Sequence, residues 1–458
     1  MSGWPAARWD SWRGRLVSRV QTADSVVLFN DDVLRRKTSL VLVDDLAAMV
    51  AGHDHPEIRA LALQAATARG PAEARLLNGV RVPRDKAAAI NAAAAAWDEL
   101  DEGYRPATCH GGHYTIPVVI AEAEATGRTT TEMLAAIVVG YEVVTAFARV
   151  LPAPRPLVLH PHATLSPIGA AAALTWLRTG DAQATVAAAD VAVTMSMAGP
   201  FDHAITGAQV RNAWPAAGAM LGFLAADMAA AGLGAEPTSA RETFTRGYRH
   251  TLNESELDHD FARWAILDGY HKAYATCQYT HSALEAALEV AERVLADRSI
   301  EDIEDIEVAT HPLAYPLDNG SPATTLAGKF SLPHVVSAVL ATGQTTPSTF
   351  DEQLLTDEAV DRLRQRVRIA PFEPLPAAPH DRPAQVTVTF TDGTVGDATC
   401  LSAIGGPDRP LTEGQVLDKV ALLTGSAAPA FDGFARALVE GPAVDQRIWI
   451  DLIDGALA

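Results

Sequence analysis

Residues 97–113, WDELDEGYRPATCHGGH, gather Glu99, Asp101, Glu102, Arg105, His110 and His113 just ahead of an apolar stretch. Carboxylates and imidazoles at one helix entrance supply a proton acceptor, a proton donor and hydrogen-bond donors in one place. The plainer reading is a solvated loop with satisfied histidines, yet loops between rigid helices often bear sites. A second group, His160 and His162 in LHPHATLSPIGAAAA, immediately precedes a helix start. There the free N–H groups favour a bound carboxylate, and the dipole helps keep a nearby imidazole neutral and available as a base. Loop histidines are common, so this pair alone is weak. Arg211 stands isolated among small apolar residues in GAQVRNAWPAAG. A buried guanidinium needs an anion, either a substrate carboxylate or an internal Asp or Glu. The fourth group, YHKAYATCQYTHSA over 270–283, offers Lys272, Tyr274, Cys277, Tyr279 and His281.

His110-x-x-His113 and His160-x-His162 are also zinc-ligand spacings. With 14 histidines such pairs arise by chance, and no HExxH, CxxC or clustered-carboxylate context accompanies them. No metal is expected. No strand, Gly-rich loop and helix occur in series, so no nucleotide cofactor is expected either.

The elements that must hold these groups are mostly helices. Pro117 marks a helix start and Gly127 a stop, and Thr129 with Glu132 reads as a capping box for the helix MLAAIVVGYEVVTAFARV. Residues 166–179 form another helix ended by Gly180, and Asp181 caps one running to about Met197. Alanine blocks at 92–96, 170–173 and 187–189 let helices approach closely. After about residue 260 the texture changes. IEDIEVATH (303–311) and RVRIA (366–370) read as strands, and QVTVTF, Asp392-Gly393 and TVGDATC as a hairpin. Helices are expected over 282–296, 333–342 and 357–364, with a Pro-rich loop over 371–383. The fold expected is therefore mainly α: an all-α domain over 1–264 and 406–458, its amphipathic tail returning to it, and a smaller α+β lid domain over 265–405. The junction between them is a natural small-molecule cleft.

Composition sets outer bounds. A formal charge of −20 argues against nucleic acid, and means that cations for an acidic substrate must be gathered locally. The most apolar run, Met133 to Tyr141, ends at Glu142, short of a membrane span. The start has no signal-peptide pattern. Three scattered cysteines, Cys109, Cys277 and Cys400, suggest no disulfide framework and a reducing cytoplasm.

In order, these segments resemble the MmgE/PrpD family, which includes 2-methylcitrate dehydratase, cis-aconitate decarboxylase and iminodisuccinate epimerase. KTSLVLVDDLAAMVAG (37–52) resembles its first long helix, and the acidic segment with His110-Gly111-Gly112 its D-x-D-D…H-P-(S/G)-G stretch. His160 with IGAAAA resembles its H-P-T…G-A-A-A element. Residues 270–281 resemble K-x-(F/Y)-P…H, and Gly328–Pro333 resembles K-F-S-L-P-Y. The resemblance implies a helical domain with a lid, a homodimer, no cofactor or metal, and a cleft for di- or tricarboxylates. Carried over by position, it implies acidic pocket residues Glu99 and Asp101, histidines His110 and His160, and cations Arg211 and Lys272. Arg105, His162, Cys277 and His281 are further substrate-binding candidates. Glu99 stands where the family tends to have Asp and Gly103 where it tends to have Thr, a different branch.

The shared chemistry is removal of a proton beside a carboxylate, with fixed cations stabilising the enediolate. Arg211 and Lys272 are expected to do this with help from Arg105, His160 to act as base, and His110 to donate a proton. Dehydration of a hydroxylated di- or tricarboxylate is the leading expectation. Epimerisation or decarboxylation from the same constellation and a silent binding protein are the alternatives.

Overall fold

The computed structural model describes residues 4–236, 238–425 and 427–457. Residues 1–3, the first of the expected helical domain, and Ala458 lie outside that range. The fold is mainly α, with a smaller region that mixes helices and a sheet.

The helices form where caps and small residues allow. Asp31 accepts from the N–H groups of Val33 and Leu34 to open Asp32–Gly52, somewhat earlier than the family-like stretch. Thr129 and Glu132 complete the expected capping box, and Thr130–Val150 follows. Ser166–Thr179 ends at Gly180 with φ 62°, and Asp181 caps Ala182–Thr194. The small residues set the packing distance. A Cβ on Gly140 would fall 2.6 Å from the Ala173 Cβ, and one on Gly222 would fall 2.3 Å from that of Ala170. Helices 130–150, 166–179 and 214–230 therefore cross at near backbone contact.

Two expectations fail here. Pro117 does not begin a helix but sits inside Gly111–Thr126. That helix starts earlier because the Glu102 carboxyl accepts the Gly112 N–H at 2.5 Å, satisfying a donor of the first turn. Thr130–Val150 is also long and apolar enough, by composition, to cross a membrane, although the run within it had looked too short. Its most apolar 18-residue window is entirely buried inside the protein, as in a central core helix. Gln209–Ala230 passes the same test of length and composition with less than half of it buried.

The sheet has strand order 367–371, 303–310, 384–390, 395–400. The first pair is parallel and the others antiparallel. Asp392-Gly393 turns the expected hairpin, with Thr389 opposite Val395. Val386, Val388, Ile306 and Val308 alternate inward and pack with helices His281–Arg293 and Leu332–Thr342.

Buried apolar residues fall into two clusters. One joins Trp9, Val41 and Tyr141 to Leu417, Val420, Phe431 and Trp449 from the tail helices Glu413–Thr424, Phe431–Val439 and Trp449–Ala456. The other holds the sheet and its helices, and also takes in Leu100, Phe201 and Ala204. A two-stranded ribbon, Gly103 against Tyr270 and Tyr104 against Gly269, ties the acidic segment to the Lys272 segment.

Candidate active site

That ribbon builds the site. It lays two segments far apart in sequence side by side, so that Lys272 reaches Glu99 Oε2 at 3.3 Å and Asp101 Oδ1 at 3.2 Å. Gly103 is the residue that permits it. A Cβ there would lie 2.5 Å from the Tyr270 ring, which occupies the space. Glu99 adopts φ 57°, a left-handed conformation that costs a non-glycine residue about 1–3 kcal/mol. Its neighbour Asp98 is gripped from the other side by Lys329 Nζ at 2.6 Å and His55 Nε2 at 3.1 Å. The two acidic neighbours thus point apart, Asp98 into an ion pair with the 325–329 turn and Glu99 into the cleft.

The cleft is lined by Glu99, Arg105, His110, His160, Arg211, Lys272 and Cys277 of the expected residues. Asp101, His162 and His281 do not line it. Asp101 is buried directly behind His110. His162 lies under the histidine wall, its Nδ1 2.9 Å from the Tyr114 hydroxyl and its Nε2 without a partner. It sits in the short helix Pro161–Thr164, whose N-cap is His160, just ahead of the start of Ser166–Thr179. His281 faces the Thr276 carbonyl at 3.2 Å, and Tyr274 reaches Glu285 at 3.2 Å, away from the cleft.

Arg211, 1% exposed, pairs with Glu99, so the internal partner weighed from sequence is present while the side chain still faces the cavity. Arg211, Glu99, Lys272 and Asp101 form one ion-paired chain. Burial alone would push the two carboxyls up. Arg211 and Lys272 outweigh it at Glu99, and Lys272 and His110 at Asp101, so both are held below the usual carboxylate range. Lys272 is raised for the reciprocal reason: Asp101 and Glu99 outweigh its burial.

Hydrogen-bond partners fix the state of three histidines. His113 Nδ1 lies 2.9 Å from Asp101 and Nε2 lies 2.8 Å from the Ala92 carbonyl, both acceptors. Only an imidazolium satisfies both. Burial opposes that charge, but Asp101 outweighs it and raises the His113 pKa. His110 Nδ1 sits 2.7 Å from Asp101 Oδ2 and 2.8 Å from the Glu102 carbonyl, so it carries a proton. Nε2 of His110 makes no hydrogen bond among the described residues, and the side chain borders the cavity. His160 is the opposite case. Its Nδ1 receives the His162 N–H at 3.1 Å, and its Nε2 faces Arg211 Nε at 3.3 Å. Burial, then Arg211 and His110, hold it well below the ordinary imidazole value.

Arg105 pairs with Asp381 at 2.6 Å. Burial pushes the Cys277 thiol up to about 11, which keeps it protonated. Asp101, His110 and His162 present possible metal-ligand atoms within 4.8 Å of one another. The Asp101 oxygen nearest them already receives both His110 and His113.

Sequence reasoning missed Tyr270, Gln278, Phe330 and Arg382, which also border the cleft. Tyr270 and Phe330 stood inside stretches that had been noticed for other residues. Arg382 lies at the end of the Pro-rich loop, where nothing but its charge marked it.

Two family models match the sequence: the MmgE/PrpD N-terminal domain over residues 26–260 and the MmgE/PrpD C-terminal domain over residues 274–433. No curated protein gives a match.

Proposed function

The chain belongs to the MmgE/PrpD family, which supports a lyase of the dehydratase type, and we propose that it removes the α-proton of a hydroxylated di- or tricarboxylate and expels the β-hydroxyl as water. The observation that carries this reading is the His110 side chain. Its Nδ1–H is held by the buried Asp101 carboxylate, and its Nε2 is left unspent beside the cavity. A carboxylate behind an imidazole fixes the tautomer and stabilises the imidazolium that forms when Nε2 takes a proton. His110 is therefore the base. This reverses the roles expected from sequence, since the single lone pair of neutral His160 is already taken by the donors that face its ring.

The C–H electron pair passes into the substrate carboxylate as an enediolate beside Lys272 and Arg211, whose positions are set in advance by Glu99 and Asp101. The enediolate then collapses to an alkene as the β C–O bond breaks. Tyr270 supplies the proton that turns the departing hydroxide into water. Burial pushes its hydroxyl up to about 12, so it is protonated at neutral pH and still a stronger acid than water. Epimerisation is the second reading, favoured because His110 and Tyr270 come from different segments of the lining. Reprotonation of the carbon by Tyr270 would then replace loss of hydroxide.

The test is proton NMR in D2O with citrate, 2-methylcitrate, cis-aconitate, malate, aspartate and iminodisuccinate, with EDTA present. Exchange or conversion that survives EDTA and falls about 10²–10⁴-fold in His110→Gln is expected. Turnover that requires added zinc or iron would instead assign Asp101, His110 and His162 to a metal.

A further inference from the structure

Four cations line the cleft: Arg105, Arg211, Lys272 and Arg382. Three are committed within the protein, Arg105 to Asp381, Arg211 to Glu99, and Lys272 to Glu99 and Asp101. Arg382 makes no ion pair among the described residues. Its guanidinium donates to the neutral Gln278 side chain and lies 4.9 Å over the Tyr279 ring. Its Nε is buried with no hydrogen-bond partner. Its position is nonetheless well defined. The Ser282 hydroxyl donates to its carbonyl at 2.6 Å, and the adjacent Asp381 is held by Arg105.

A guanidinium withdrawn from water without an anion is costly, and its planar fork matches a carboxylate with two parallel hydrogen bonds. The aromatic face beneath orients the fork, and the donors not given to Gln278 stay available. Arg382 also comes from a different part of the chain than the His110–Lys272 machinery, at the end of the Pro-rich loop over 371–383.

We propose that Arg382 anchors the second carboxylate of the substrate, the one remote from the carbon that loses its proton. This rests on the α-proton reading above, which it narrows.

Isothermal titration calorimetry on the full chain tests it without turnover, using succinate and its half-amide succinamate. Wild type should bind succinate at least about tenfold more tightly than Arg382→Gln does, and succinamate about as weakly as that variant binds succinate. The variant itself should no longer distinguish the two ligands. Arg382→Lys, which keeps the charge but not the fork, should fall between. Circular dichroism melting checks that both variants are folded. Unchanged succinate binding in Arg382→Gln, or no succinate binding by wild type, would each overturn the proposal. Succinate binding that depends on Arg382, without proton exchange in any acid by NMR, would retain the anchor and remove the reaction. Proton exchange with unchanged succinate binding in the variant would do the reverse.

Discussion

Two buried clusters in this protein use the same kinds of residue and do different things. At the cleft, Asp101, His110, Lys272, Glu99 and Arg211 meet beside a cavity. A second cluster joins Asp44, His271, Lys37 and Lys419. Asp44 takes His271 Nδ1 at 2.8 Å and Lys419 at 2.7 Å, Lys37 contacts His271 Nε2 at 2.9 Å, and Lys419 also donates to the Leu100 carbonyl at 2.8 Å. In the second cluster both ring nitrogens of the histidine are spent, and burial, then Lys37, bring His271 down to about 4. That cluster staples helix Asp32–Gly52, helix Glu413–Thr424 and the Lys272 segment together. The cleft cluster keeps one imidazole nitrogen in reserve, on His110. On the reading proposed above, unspent hydrogen-bonding capacity facing a cavity, more than residue type, separates chemistry from fastening.

The contrast can be broken most severely at Lys272. Lys272→Met leaves Asp101 and Glu99 buried with one fewer cation, and should cost about 3–5 kcal/mol in urea unfolding and abolish proton exchange. A stable variant that still exchanges would show that the ion-paired chain is dispensable. Asp44→Asn sharpens the comparison from the other side. It should destabilise by about 3 kcal/mol, because Lys419 and His271 lose their anion, while exchange per folded molecule stays near wild type. A selective loss of activity would move that cluster into the catalytic machinery.

A pH-dependent effect concerns Glu102, which lies behind both clusters. Burial pushes its carboxyl from 4.5 up to about 8, against the pull of the Gly112 N–H and Tyr141 hydroxyl. Between those values the folded protein holds a proton that the unfolded chain has released. Stability from this group is therefore full below the lower value and declines as pH rises toward the upper one, by at most about 1.4 kcal/mol per pH unit. Glu102→Gln, which cannot ionise, should flatten that decline in urea midpoints taken at about pH 5 and about pH 8. Parallel slopes for the two proteins would place the proton elsewhere.

What could be read from the sequence was local. The Thr129 capping box, the Gly180 stop and the Asp392-Gly393 hairpin each depend on a few adjacent residues, and each is present. The start of Gly111–Thr126 was misread because Pro117 is a local cue, whereas the Glu102 side chain that caps the first turn is reached through the fold. The histidines were visible as candidates, but their protonation was not. It depends on the Glu102 carbonyl, the Ala92 carbonyl and the His162 N–H, backbone groups whose directions no residue type announces. Gly103 looked like a departure from the family pattern. Its reason, the Tyr270 ring lying against it, comes from a strand pairing across a long stretch of chain.

The return of the tail helices to the first apolar cluster has a consequence for synthesis. A nascent chain that has just delivered Cys400 already contains Glu99, His110, Lys272 and Arg382, every part of the cleft discussed above. It still lacks Leu417, Val420, Phe431 and Trp449, so the helical body stands on the ribosome with an open apolar seam. The sheet region has all its strands by then and can settle first. Lys419 then closes onto Asp44 among the last contacts made, and the order of translation puts the fastening after the site it secures.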